Sequence, residues 1–137
     1  MRYLILFVGL SIGVQDSPLA SREYKSLDSA TGGFEEIYFQ LRKEGKMFLI
    51  DSTAIQIGMA ASGGIYKWKS DTLATGGWDS HNDSIFCRVK SSALLINSLF
   101  SLSTSKLPRV RINKNEIIFP LNTDTLYIKR IPCVQLR

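Results

Sequence analysis

The sequence predicts a mostly β fold: a single antiparallel β-barrel or sandwich of about eight strands, with at most one short helix near residues 91–103. Two observations carry this. From Phe34 onward, apolar and polar residues alternate in one short run after another, the mark of strands with one buried and one wet face. Turn residues separate these runs at close spacing, as barrels and sandwiches require. The length of 137 residues suits one domain. A content of 45% hydrophobic and 21% charged residues excludes a disordered chain, a collagen-like fibre and a polytopic membrane protein.

The elements follow in order. Met1-Arg2 precedes the apolar run Tyr3–Leu10, and small residues stand at Ser11 and Gly13. That arrangement fits a secretory signal peptide, residues 1–13, with Ser17 and Ala20 as alternative cleavage points. Even counted on through Val14, at ~12 residues, the apolar run falls short of the ~20 that span a bilayer. The chain is therefore expected to be exported, to the periplasm or outside the cell; the other reading is a buried first strand or helix of a cytosolic domain. Residues 14–33, rich in Ser, Asp, Pro and Gly, read as a flexible N-terminal segment, and 34–137 as the single β-rich domain.

Within that domain, Ile37, Phe39 and Leu41 alternate with Tyr38 and Gln40, and Lys43–Lys46 turns the chain into Met47–Asp51. Ile55, Ile57 and Met59 form the next run, and Ala60–Gly64 reads as a turn into Tyr66 and Trp68, which alternate with Lys67 and Lys69. Ile85, Cys87 and Val89 share a face. Leu95, Leu99 and Leu102 share one side of a helical projection, so residues 91–103 read as a short helix or as a strand and loop. Val110 and Ile112, Glu116–Phe119, Leu126 and Ile128, and Cys133–Leu136 complete the set. Residues 65–73 echo 118–126, both ending in Asp-Thr-Leu, and read as strand, turn, strand.

The signal-like start, the meandering strands and the run Gly64-Ile65-Tyr66-Lys67-Trp68-Lys69-Ser70-Asp71-Thr72-Leu73 together resemble lipocalin-like small exported bacterial β-barrel proteins. The Gly-x-Trp hallmark of lipocalins is absent, since Gly77-Trp78 has the wrong spacing. The resemblance implies a barrel with an apolar ligand. Phe39, Ile57, Tyr66, Trp68 and Phe119 are the candidate inward, ligand-binding side chains; the plainer reading makes most of them core.

Charge points to a second surface. The net charge of +5 resides wholly in residues 104–137, where Arg109, Arg111, Lys114, Lys129 and Arg130 could meet an anionic partner. Solvated outer faces of ordinary strands would look the same. With Tyr127 as a stacking ring, the same residues give the third reading, a nucleic-acid-binding barrel. Asp79, His81 and Asp83 would share a face if extended and are the one metal candidate, against an ordinary polar turn. Cys87 and Cys133 could form a disulfide or stay as buried thiols. No Gly-x-Ser-x-Gly elbow, phosphate loop or dinucleotide pattern occurs, so the expectation is a non-catalytic protein without a cofactor. The leading expectation is an exported barrel-like domain that binds a small apolar ligand or an envelope partner. The alternative is an interaction module that docks its basic C-terminal part on an anionic surface.

Overall fold

The computed structural model describes residues 20–91, 93–106 and 110–137; the expected signal peptide lies outside them. Nine strands occur among the described residues: β1 (Arg22–Ser26), β2 (Glu35–Leu41), β3 (Lys46–Ala60), β4 (Gly63–His81), β5 (Ser84–Val89), β6 (Arg111–Asn113), β7 (Glu116–Pro120), β8 (Thr125–Ile128) and β9 (Ile131–Gln135). They form one antiparallel sheet in the order β6-β7-β5-β4-β3-β2-β1-β9-β8, curled into a half-barrel. Helix α1 (Asp28–Thr31) links β1 to β2, and α2 (Ala93–Phe100) follows β5.

Alternation decides which side chains face the concave side. In β2, Ile37, Phe39 and Leu41 are buried opposite Asp51, Leu49 and Met47 of β3. Ile85, Cys87 and Val89 do the same from β5, Ile117 and Phe119 from β7, Leu126 and Ile128 from β8. The centre is aromatic: the Phe39 ring lies 6.2 Å from Tyr24, 6.4 Å from Phe119 and 6.0 Å from Phe100. Side chains thus fill the middle of the curl.

The remaining gap is covered by α2 and the turn after it. Ile96, Leu99 and Phe100, at positions i, i+3 and i+4, are its buried face. The expected helix exists, but its inward face is rotated from Leu95, Leu99 and Leu102, and it ends at Phe100. Ser103 then joins the two edges of the sheet. Its Oγ accepts from Tyr127 N at 2.6 Å and donates to Tyr127 O at 2.9 Å in edge strand β8. Its carbonyl accepts from Val110 N at 3.2 Å, immediately before edge strand β6. Lys129 N also donates to Leu99 O at 2.8 Å.

Three expectations change. Residues 22–26, within the segment expected to be flexible, form a strand: β1 runs between β2 and β9, with Tyr24 and Ser26 buried. Tyr24 donates its hydroxyl to Thr123 O at 2.7 Å, and Ser26 Oγ accepts from Ile37 N at 2.9 Å. A lone aromatic and a hydrogen-bonded serine make this inner face, so the segment looks polar in sequence. Second, Met47–Asp51 and Ile55–Met59 are one strand of 15 residues, and β4 runs for 19 residues through Gly76 and Gly77. Gly76 is needed there for close approach rather than for a turn: a Cβ would lie 2.1 Å from the Arg88 carbonyl oxygen. Third, the echo has no structural counterpart, because 65–73 is continuous strand while 118–126 is strand, turn, strand.

Candidate functional site

Strands β3 and β4 are far longer than their neighbours. Strand β2 accompanies β3 only to Thr53, and β5 accompanies β4 only from Gly76. Beyond those points the two strands continue together to the turn at Ala61-Ser62, as an arm that leaves the body. A register shift near Leu73, where Leu49 faces Ala74 and Ile50 faces Thr72, marks its root. An extra residue of this kind bends a strand and increases its twist. A second shift at Ile57 does the same near the tip.

The arm carries apolar side chains on both faces. Ala54 lies opposite Trp68 and Gln56 opposite Tyr66 on one face, where Phe34 packs on Tyr66 with ring centroids 5.3 Å apart. Ile55 lies opposite Lys67 and Thr53 opposite Lys69 on the other, which Ile65 extends. Exposure is high throughout: Met59 71%, Ile57 63%, Trp68 47%, and Ile55, Ile65 and Tyr66 each 45%. A depression of about 410 Å³ lies among Ile55, Ile57, Lys67, Trp68 and Lys69. From Ser52 to Tyr66 the chain has no charged residue.

At the root, Lys129 Nζ lies 2.6 Å from Asp51 Oδ2 and 2.7 Å from Glu35 Oε2. Partial burial pushes this ammonium down, but the hydrogen bonds to both carboxylates outweigh it and hold it above the usual lysine range. Asp51 Oδ1 is buried without a hydrogen-bond partner among the described residues, so the Asp51 carboxylate is held through its Oδ2 contact with Lys129. Lys129 and Arg130 adopt left-handed backbone, φ 54° and 67°, in the turn between β8 and β9. Together these features give the body an exposed apolar projection over a base tied by one ammonium shared between two carboxylates.

No family model, no curated protein and no solved structure matches this chain.

The five candidate ligand-binding residues are not brought together. Phe39 and Phe119 are fully buried in the aromatic centre, while Ile57, Tyr66 and Trp68 are exposed on the arm. The period-two alternation holds on the arm, but apart from the Phe34 ring on Tyr66 neither face is covered by the described residues. The basic set is also divided. Arg109 lies outside the described residues. Lys129 is engaged at the arm's root, Arg111 is on edge strand β6, and Lys114 is in the turn after it. Tyr127, the proposed stacking ring, has Lys106 Nζ 5.6 Å from its centroid.

Asp79 and His81 share the outer face, 3.7 Å apart, but the chain reverses at Asn82-Asp83, so Asp83 leaves that face. His81 stacks on Phe86 at 4.4 Å. Among the described residues, no group of three His, Cys, Asp or Glu side chains is placed to hold a metal ion. Cys87 and Cys133 are separate buried thiols; four strands lie between β5 and β9 in the sheet order. Burial raises Cys133 to about 12 and Cys87 further, so neither is a ready nucleophile. The arm shows in the sequence only when two signals are taken together: an uncharged run of fifteen residues, and alternation longer than a small half-barrel needs.

Proposed function

We propose that the protein is a docking module, in which the curled sheet is a scaffold and the β3–β4 arm is the surface that meets the partner. The observation that carries this is the group of six large apolar side chains that stand 45–71% exposed on the arm. Single exposed apolar residues are ordinary, whereas a contiguous set marks a contact surface. With the expected export signal, the partner belongs to the cell envelope, which keeps the second half of the leading expectation. The first half, an apolar ligand inside a barrel, loses support because Phe39 and Phe119 pack into the core with Tyr24 and Phe100.

Photo-crosslinking in cells tests the proposal. A photoreactive residue is placed at Ile57 or Met59 on the arm, or at Lys114 in the β6–β7 turn of the body. Adducts concentrated at the two arm positions are expected. Equal labelling at Lys114 and the arm would overturn the reading.

A further inference from the structure

We infer that the arm's partner is an anionic phospholipid bilayer, with the arm's uncharged end inserted at the bilayer surface; this rests on the arm being the contact surface. Three features argue for lipid over a protein groove. First, Ile55, Ile57 and Ile65 stand exposed together with Tyr66, Trp68 and Met59, so both faces are apolar, and the turn between them, Ala61-Ser62, is uncharged. A groove covers one face of a hairpin, whereas a lipid surface meets the whole tip.

Second, the charge changes where the tip joins the root. Tyr66 and Trp68 alternate with Lys67 and Lys69 at the boundary of the uncharged run. Aromatic rings of this kind favour the headgroup level, and lysine stems reach along apolar surface to place ammonium groups there. Arg130 adds an exposed cation next to Lys129, whose single ammonium is shared between Glu35 and Asp51. Lys67, Lys69, Lys129 and Arg130 together exceed Glu35, Asp51 and Asp71 by one charge, and the two lysines nearest the uncharged end carry no ion pair with an acidic side chain among the described residues. Anionic headgroups complement that excess.

Third, the length and the edges fix the depth. Seven residues from Ala54 to Ala60 reach about 23 Å, short of the ~30 Å hydrocarbon core. Past the last outer bonds, Ala54 N to Phe34 O on β3 and Lys90 N to Thr75 O on β4, neither outer edge pairs with a neighbouring strand. Unpaired backbone groups are costly in hydrocarbon, so the arm lies in the hydrated interface and does not span.

Flotation with vesicles tests this, using phosphatidylcholine alone and phosphatidylcholine with 30% phosphatidylglycerol. Trp78 is buried and Trp68 is exposed, so a blue shift of tryptophan emission reports on the arm. The expected result is at least tenfold more bound protein on the anionic vesicles, with a blue shift. Ile57→Asn/Met59→Asn should lose both while keeping the wild-type urea midpoint, and Lys67→Gln/Lys69→Gln should reduce binding several-fold. Binding unchanged by Ile57→Asn/Met59→Asn, or no binding to either vesicle, would overturn the inference. In the second case sedimentation separates the two levels of the argument. Self-association abolished by Ile57→Asn/Met59→Asn would keep the arm as contact surface with a second copy as its partner. A monomer at all concentrations, with no arm-specific crosslinks, would end both.

Discussion

Replacing Ser103 by alanine removes one small hydroxyl, yet it should destabilise the protein as much as many core truncations do. The Ser103 side chain is 2% exposed, and its Oγ satisfies both the N–H and the C=O of Tyr127 on the outer edge of β8. Alanine takes away both hydrogen bonds and gives the edge nothing in return. Each such bond contributes about 0.5–1.5 kcal/mol, and a backbone group left unpaired under cover adds to the loss. The expected cost is therefore about 2–3 kcal/mol, a fall in Tm of roughly 6–12 °C for a domain of this size. The assay is urea unfolding followed by tryptophan fluorescence, with the slope against urea unchanged and the midpoint lowered. Ser101 is the control, since it is exposed and its Oγ lies 3.5 Å from Ser98 O; Ser101→Ala should stay within about 0.5 kcal/mol of wild type. A Ser103→Ala midpoint equal to that of Ser101→Ala would refute the claim that this turn joins the two edges of the half-barrel.

Other consequences follow from particular residues. Arg130 holds a left-handed backbone conformation without being glycine, which costs roughly 1–2 kcal/mol; Arg130→Gly should raise stability by about 0.5–1 kcal/mol in the same unfolding assay. Gly76→Ala should lose 2 kcal/mol or more, because its Cβ would collide with the Arg88 carbonyl; wild-type stability would show that β4 and β5 are not this close. Burial raises both thiols in the folded chain, whereas unfolded thiols titrate near ~8.5. A raised group stabilises below its unfolded pKa, and that contribution fades as pH rises and the unfolded chain releases protons the folded chain keeps. Stability should hold to about pH 8 and then fall by up to ~2.7 kcal/mol per pH unit until the folded thiols titrate, roughly half from each cysteine. Urea midpoints between pH 7 and 10 test this, and Cys87→Ala/Cys133→Ala should flatten the fall.

The strands were legible wherever one face is buried and one is wet. Ile37, Phe39 and Leu41, or Ile85, Cys87 and Val89, could be assigned to the core from sequence alone. Strand β1 was not legible, because its inward positions are Tyr24 and Ser26 and the serine is satisfied by Ile37 N rather than by apolar contact. The helix was visible but its rotation was not, since Leu95 and Ile96 are adjacent and both apolar, so the sequence lets either one head the buried face. The arm exposes a limit of periodicity itself. Tyr66 and Trp68 alternate with Lys67 and Lys69 whether or not anything lies against them, so the pattern gives two faces without giving what covers either. What covers a face depends on where neighbouring strands stop, and here Thr53 and Gly76 decide that. The ion group at the root was equally hidden, because Glu35 and Asp51 are diagonal neighbours across β2 and β3 but Lys129 reaches them only through the curl of the sheet.

Hydrogen exchange on the full chain, read residue by residue, tests the central claim that the arm stands free of the body. The amides of Ile37, Phe39, Cys87, Ile117 and Leu126 should exchange slowly, on the scale of global unfolding. A two-stranded hairpin with open edges has little stability of its own, so amides from Ile55 to Ile65 should exchange at least a thousandfold faster in dilute solution. Anionic vesicles should then slow those arm amides and leave the body unchanged. Arm amides as protected as the core in dilute, monomeric protein would mean that the body or another segment of the chain covers the arm, and would contradict the account.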